Sequence, residues 1–246
     1  MKSRTVLLTG CGILLAVIVT DAAVGLISRS EAIAGPLDLT QVSSVDVTGK
    51  ASHIIITADP DAPQTALLQG RRDGWSAVWR SGWFFSDTCT PDASMRTDGN
   101  RLIVDMGRSP RLFDWSDCQP TLTANIKPDS AISVDQAASR TELEGDFSTV
   151  NVASDAGDVV FDGHATGLSL SGAALRARII YRHVANDETI QLFGKMMDAS
   201  LRFVQPTEIS YLVEAVASLV DSDLPNTPGA KPAVTVRGDM LRLHIE

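Results

Sequence analysis

Between Ile132 and Phe203 the sequence repeats a short pattern in which apolar residues alternate with polar or small ones. Alternate residues of a strand lie on one face, so each segment buries only a few side chains and needs a neighbour stacked on that face. Segments that return about every ten residues are typical of stacked-repeat proteins with two strands per coil of roughly 20 residues. The pattern therefore predicts an all-β, solenoid-like chain. The segments are residues 132–134, 149–152, 159–161, 168–170, 190–192 and 201–203.

The composition excludes one class of partner. The chain has 246 residues, 44% of them hydrophobic, and a formal net charge of −9. This length and hydrophobic content suffice for the core of one domain. Binding to phosphates requires a concentrated basic surface, which an acidic chain without a Lys/Arg cluster does not provide. We therefore expect no nucleic-acid partner and no electrostatic attachment of the folded part to lipid.

The first 34 residues form a predicted membrane segment. Residues 5–27 are apolar apart from Asp21, and Lys2 and Arg4 precede them. Such a stretch is long enough to span a bilayer, and positive residues before it keep the N-terminus in the cytoplasm. We expect a retained, single-pass transmembrane helix in the cytoplasmic membrane, with residues 35–246 as a domain in the periplasm or outside the cell.

Two other fates of the N-terminus stay open. If residues 6–19 act as a signal peptide, cleavage follows Ala22 or Ala34. Cys11 ends a Leu-Thr-Gly-Cys sequence that looks like the lipobox of bacterial lipoproteins, although the apolar run before it is short. We favour the retained anchor because the apolar character resumes through residues 22–27.

Cys89 and Cys118 are the only cysteines after the predicted anchor. An even pair in an exported chain predicts a disulfide, because the compartments outside the cytoplasm are oxidising. A metal site is the weaker interpretation, since the two cysteines lack close ligand spacing and no histidine lies between His53 and His164.

All four tryptophans lie in a segment, residues 70–118, that interrupts the plain strand pattern. We interpret this segment as an insertion or a cap. Aromatic rings can stack on sugars or dock a protein, which makes these four a candidate binding surface. They can equally cover the open N-terminal end of the strand stack, which is the interpretation that we favour. The four are Trp75, Trp79, Trp83 and Trp115.

The C-terminal part is predicted from weaker patterns. Residues 208–220 fit both a helical face and a strand, and we favour a strand because strands precede them. Residues 224–232 contain three prolines and a glycine, which indicates an irregular loop. Residues 233–236 and 240–245 are predicted to form a hairpin-like pair around Gly238.

The sequence contains no phosphate-binding loop, dinucleotide fingerprint, metalloprotease helix or serine-hydrolase elbow. Its four histidines are scattered. Asp105, Asp114 and Asp117 could serve as the carboxylates of a polysaccharide-cleaving site, but turn and solvation roles account for them more simply. We therefore predict no catalytic, cofactor-binding or metal-ligating residues.

The order of the segments resembles that of a family of bacterial envelope domains. Residues 45–49, 54–57, 102–105 and 122–128 come first, followed by short repeats such as 141–145, 150–152 and 157–160. This order is similar to that of the putative adhesin or "head GIN" β-solenoid domains, most of them of unknown function. The likeness covers residues 39–203 and the strand at 241–245, and the Trp- and Cys-containing segment departs from it. The resemblance implies a right-handed parallel β-helix on the outer side of the cytoplasmic membrane, and it supplies no catalytic residues.

The predicted anchor, the repeats and the lack of catalytic motifs favour a non-enzymatic, membrane-tethered envelope module. Such a module would present a rigid surface to an envelope protein or a glycan. A carbohydrate-active enzyme of the β-helix type is the alternative, and a purely structural role stays open, because a fold does not by itself define a function.

We predict that Cys89 and Cys118 are bonded to each other and hold the aromatic segment against the N-terminal end of the strand stack. Closing this loop stabilises the fold by roughly 3–4 kcal/mol on the chain-entropy scale. A Cys89→Ser/Cys118→Ser variant should therefore unfold at a lower temperature and self-associate, while its far-UV circular dichroism stays mainly β. Two thiols that alkylate freely in the native exported protein would contradict the disulfide.

Overall fold

The computed structural model describes residues 36–72, 88–89, 93–107, 118–185 and 187–246, with the backbone alone at 71–72 and 88–89. Every regular element over these residues is a strand, which confirms the all-β prediction. Pro36–Glu246 form one compact unit. None of the described residues belongs to a helix that could cross a membrane. The predicted anchor at residues 1–34 lies outside them.

Eleven strands form one hydrogen-bonded sheet. Their alternating burial follows the alternation of apolar and polar residues in the sequence. The strands are β1 (Leu37–Asp38), β2 (Ser44–Ala58), β3 (Thr65–Arg72), β4 (Thr88–Cys89), β5 (Ser94–Asp98), β6 (Arg101–Asp105), β7 (Cys118–Asn125), β8 (Ser130–Tyr181), β9 (Thr189–Phe203), β10 (Ser210–Ser222) and β11 (Ala233–Ile245).

The long strands lie parallel to one another in consecutive layers. Val45 of β2 pairs with Ile132 near the start of β8. Further along β8, Leu168 pairs with Ile190 of β9, which in turn pairs with Val234 of β11. The last layers follow the order β8, β9, β11 and β10. This register places residues of similar character in columns that run across the layers.

Each of these layers bends once. The pairing of β8 with β9 runs to Gly172 and Gly194, omits one residue of each strand, and resumes at Ala174 and Met196. β11 omits Asp239 at the same level. The bend divides every layer into two arms, and successive bends lie next to one another.

The core consists of the columns of inward-facing residues from both arms. One column is aromatic, with ring centroids 6.3 Å apart for Phe147 and Phe161, 5.5 Å for Phe161 and Tyr181, and 5.7 Å for Tyr181 and Phe203. Burying an apolar side chain of this size stabilises the fold by about 1.5–3 kcal/mol. Each of these rings is therefore buried against the ring of the next layer, which couples the stability of neighbouring layers.

Antiparallel strands complete the N-terminal end of the stack. β6 and β7 are parallel to β2, whereas β5 pairs antiparallel with β6, and β3 pairs antiparallel with β7. The strands that carry Cys89 and Cys118 both bond to β3, opposite Gly70 and Arg72 respectively. The side chain of Cys89 and the four tryptophans lie outside the described side chains, so the disulfide and the aromatic cap stay predictions.

Two predictions for the C-terminal part have different outcomes. The strand predicted at residues 208–220 is confirmed as β10. The hairpin-like pair around Gly238 is wrong, because Ala233–Ile245 is one strand that lies parallel to both β9 and β10. Gly238 pairs with Gly194, and parallel pairing resumes at Met240 and Met196, so the strand does not reverse its direction there.

Successive backbones approach closely at the bend. A Cβ atom on Gly172 would lie 2.0 Å from the carbonyl oxygen of Ser154, and one on Gly238 would lie 1.9 Å from that of Gly194. A side chain at either position would require a displacement of one layer from the next.

We expect Gly172→Ala to lower the free energy of unfolding by about 1–3 kcal/mol, because the new methyl group must push two layers apart. Gly167→Ala on the same strand is the matched control, since its Cβ would meet nothing nearer than Thr149 Cγ2 at 3.5 Å. Urea denaturation of both variants measures the difference. Equal stability of the two variants would contradict the close contact at the bend.

Candidate functional site

A shallow, open apolar groove of about 870 Å³ crosses the layers just beyond the bend. Its floor contains Leu175, Met197 and Leu241, which occupy the same register position on β8, β9 and β11. All three side chains are buried. Ligand sites in proteins are typically concave, largely apolar and about 300–1,000 Å³ in volume, so this groove is the candidate functional site.

Two exposed methionines form one side of the groove. Met196 and Met240 are paired across β9 and β11 and are 50% and 55% exposed. The earlier layers have Ala156 and Ala174 on this side of the groove. The replacement of small alanines by long, flexible thioethers gives the groove an adaptable wall, a property of surfaces that bind varied apolar partners.

The opposite rim carries charges of both signs. Asp158, Arg176, Asp198 and Arg242 line it, and Arg176, Asp198 and Arg242 occupy one register position on β8, β9 and β11. Neighbouring strands are about 4.8 Å apart, so opposite charges adjoin along this column. Their sum is zero, which means that the rim attracts neither strongly acidic nor strongly basic ligands.

A buried carboxylate lies in the loop that leads into β9. The Glu188 side chain is fully buried, and its Oε1 lies 3.0 Å from His164 Nε2. The backbone N–H of Ala185 donates to Oε1 as well, and that of Asp187 donates to Oε2 at 3.1 Å. The His164 ring also stacks on His183, with centroids 4.6 Å apart.

These partners determine the charge state of Glu188. Burial favours the neutral carboxyl, but the N–H groups of Ala185 and of Glu188 itself, together with His164, favour the carboxylate and lower the pKa of Glu188 below its usual value. Burial and the Glu188 charge both raise the pKa of Tyr181, whose hydroxyl donates to the carbonyl of Ala165 at 3.1 Å. The cluster therefore anchors the loop and is separate from the groove.

We expect Glu188→Gln to lower the free energy of unfolding at pH 7 by about 2–3 kcal/mol, because it weakens charge-assisted hydrogen bonds in a buried site. The folded-state pKa is depressed, so the stability that the carboxylate supplies is present above the unfolded pKa of about 4.5 and is lost as pH falls through the folded pKa.

The difference between Glu188→Gln and the native chain should accordingly shrink in acid, as measured by denaturant unfolding between pH 7 and pH 3. The exposed Glu208→Gln is the control and should change stability little at any pH. A deficit in Glu188→Gln that is independent of pH would contradict a charged Glu188.

Most of the sequence-predicted site residues lie outside the part of the chain that the structure describes. Trp75, Trp79, Trp83 and Trp115 lie outside the described residues, as do Asp114 and Asp117. Asp105 accepts a hydrogen bond from the backbone N–H of Gly107 at 3.0 Å, which is the predicted turn role. Within the described ranges, no group of three or more histidines, cysteines or carboxylates is arranged to hold a metal ion.

The groove was not predicted from the sequence. A signal for it does exist, because Gly194 and Gly238 are each followed two residues later by methionine, whereas Gly172 is followed at that distance by Ala174. Only an alignment of the repeats at the bend would have shown that these methionines occupy one exposed column.

No family model and no curated protein matches the chain. Two solved structures are similar to it. A putative cell adhesion protein from Clostridium sporogenes is 9% identical, with 87% of this chain and 97% of that one covered, at a TM-score of 0.44. A putative adhesin from Bacteroides fragilis is 13% identical, with 86% and 94% covered, at a TM-score of 0.43. Similarity at this level assigns neither a family nor a function to the chain.

Proposed function

We propose that the stacked layers form a right-handed β-solenoid and that this solenoid is a non-enzymatic binding module of the cell envelope. The regular parallel register from β8 through β9 to β11 supports a solenoid. The groove carries the functional proposal, because it is a preformed apolar concavity that spans several rigid layers.

The chemistry of the groove favours a protein partner. Met196, Met240 and Leu219 supply its exposed apolar surface, and the two methionines can adapt to side chains of different shapes. A glycan is expected on aromatic platforms, and none of the described residues that line the groove is aromatic. We therefore propose that the ligand is an extended, apolar-rich segment of another envelope protein with little net charge.

The predicted N-terminal helix supports the proposed location of the domain in the cell envelope. A single-pass anchor would keep the domain on the outer side of the cytoplasmic membrane, where it could meet such segments. The Trp-rich segment would then form part of the N-terminal end of the solenoid, remote in sequence from the residues of the groove.

One observation favours a second candidate function. Asp158 on β8 and Asp198 on β9 both line the groove. Inverting glycosidases use two carboxylates about 6.5–9.5 Å apart on either side of the scissile bond. Release of reducing ends from a polysaccharide by the purified chain, abolished by Asp158→Asn, would replace the binding proposal with an enzymatic one.

We expect a library of random 12-residue peptides, displayed on phage and panned on the full chain, to yield binders with at least two apolar residues. A Met196→Glu/Met240→Glu variant should bind these peptides at least tenfold more weakly, because it places charges in the apolar wall. Fluorescence anisotropy with the enriched peptides measures both affinities.

Val204→Glu is the matched control, because Val204 is also an exposed apolar residue, 56% exposed, but lies after the end of β9 and away from the groove. Peptides that bind the double variant and the native chain equally would contradict the groove as the binding site.

A further inference from the structure

The outermost C-terminal layer, β10, has an open edge. β10 pairs with β11 on one side, and no other described strand pairs with its opposite side. The side chain of Asn226 bonds to the backbone N–H and C=O of Tyr211 on this outer side. At the other end, the N–H of Asp223 donates inward to Ile245. The hydrogen-bonding groups that point outward therefore belong to Val213, Ala215, Ser218, Val220 and Ser222, by alternation along each arm.

Large apolar side chains accompany this edge. Val216 is 87%, Leu219 63%, Leu212 51% and Val220 37% exposed. Val220 pairs with Leu243 and occupies the column that is buried in the preceding layers. Val220 is exposed because no further layer covers it. An unpaired, apolar edge strand of this length is a template for association with another strand.

The opposite end of the same stack shows what kind of strand covers a terminal layer here. There, β5 covers β6 and β3 covers β7, both in antiparallel orientation. The described C-terminal end has no such covering strand.

We infer that β10 of a second copy of this chain covers β10 in antiparallel orientation, forming a two-fold symmetric dimer. The two-fold axis would pass through the bend, between Val216 and Ala217. This axis exchanges the two arms, so that the first arm of one copy lies on the second arm of the other. Such an isologous contact uses the same surface of both copies, so the assembly stops at the dimer.

The sequence of β10 fits this register. The proposed register places Val213 opposite the partner's Val220, and Ala215 opposite the partner's Ser218. In both pairs, the backbone hydrogen-bonding groups of the two residues point outward and can bond to each other. The register also keeps inward-facing side chains opposite inward-facing ones.

The charges of β10 are compatible with the same register. Glu214 would face the partner's Leu219, and Asp221 would face the partner's Leu212, so no two carboxylates are directly opposed. Each carboxylate already has a cationic or ionisable neighbour on its own chain. Glu214 lies 2.7 Å from Arg237, and Asp221 lies 3.4 Å from His244.

The dimer would also border the groove. Ala217, Ser218 and Leu219 line its C-terminal end and lie beside the proposed axis. Because the axis exchanges the two arms, the groove of each copy would end against the first arm of the other copy. The dimer itself does not depend on what the groove binds.

A charge swap tests both the dimer and its register. Leu219→Glu places a carboxylate opposite the partner's Glu214, while in the single chain the new carboxylate pairs with Arg242 on β11. We expect this variant to raise the dimer Kd at least tenfold without loss of thermal stability. Adding both Glu214→Lys and Arg237→Glu to Leu219→Glu should restore dimerisation, because opposite charges then face each other across the interface while an ion pair is kept between positions 214 and 237.

The measurement is sedimentation velocity of the full chain in a mild detergent, with Val204→Glu as the matched control. Association through the predicted N-terminal helix would be the same in all variants, so only a difference between Leu219→Glu and Val204→Glu supports the β10 interface. A native chain that stays monomeric at roughly 100 μM, where a dimer of micromolar Kd is nearly complete, would overturn the inference. Equal association of the two variants, failed restoration in the charge-swapped triple variant, or growth into open-ended polymers would also overturn it.

Discussion

The parallel hydrogen-bonded register between successive layers is the constraint on which the rest of this structure depends. Parallel strands keep equivalent residues of each layer at one level, so a buried position in one layer continues as a buried column through all of them. The aromatic column from Phe147 to Phe203 shows this directly. The same register requires glycine at Gly172 and Gly238, because the bends of adjacent layers come too close for a side chain.

The groove follows from the same constraint. A column at the bend passes from Ala156 and Ala174 to Met196 and Met240, and this change in side-chain size along one column creates a concave surface. No loop has to be ordered to build it, since every lining residue belongs to a strand or its bend. A rigid floor with a flexible methionine wall combines low conformational cost with tolerance for varied ligands.

A stack of layers also has two ends, and in the described part of this chain only the N-terminal end is covered by further strands. Antiparallel strands cover the N-terminal layers, whereas β10 leaves apolar side chains such as Val216 and Leu219 in solvent. Near the middle of the stack, the loop before β9 is held instead by a buried charge, Glu188, whose carboxylate has partners on the backbone and on His164. The apolar columns thus stabilise the core, the antiparallel strands cover the N-terminal layers, and the hydrogen-bonded carboxylate of Glu188 holds the loop before β9.

The sequence by itself determined the all-β class and the position of most strands, because alternation with a period of two is a local property that each segment carries alone. The strand nature of residues 208–220 could be argued in the same way, from the strands that precede them. The sequence could not distinguish a bend from a reversal at Gly238, since glycine followed by aspartate is compatible with both. Nor could it order β11 between β9 and β10, which depends on pairing between residues far apart in the chain. The groove and the open edge were decided only by the tertiary structure. The first is assembled from residues of several strands that the register alone brings together, and the second exists because no described strand follows β10 in the stack.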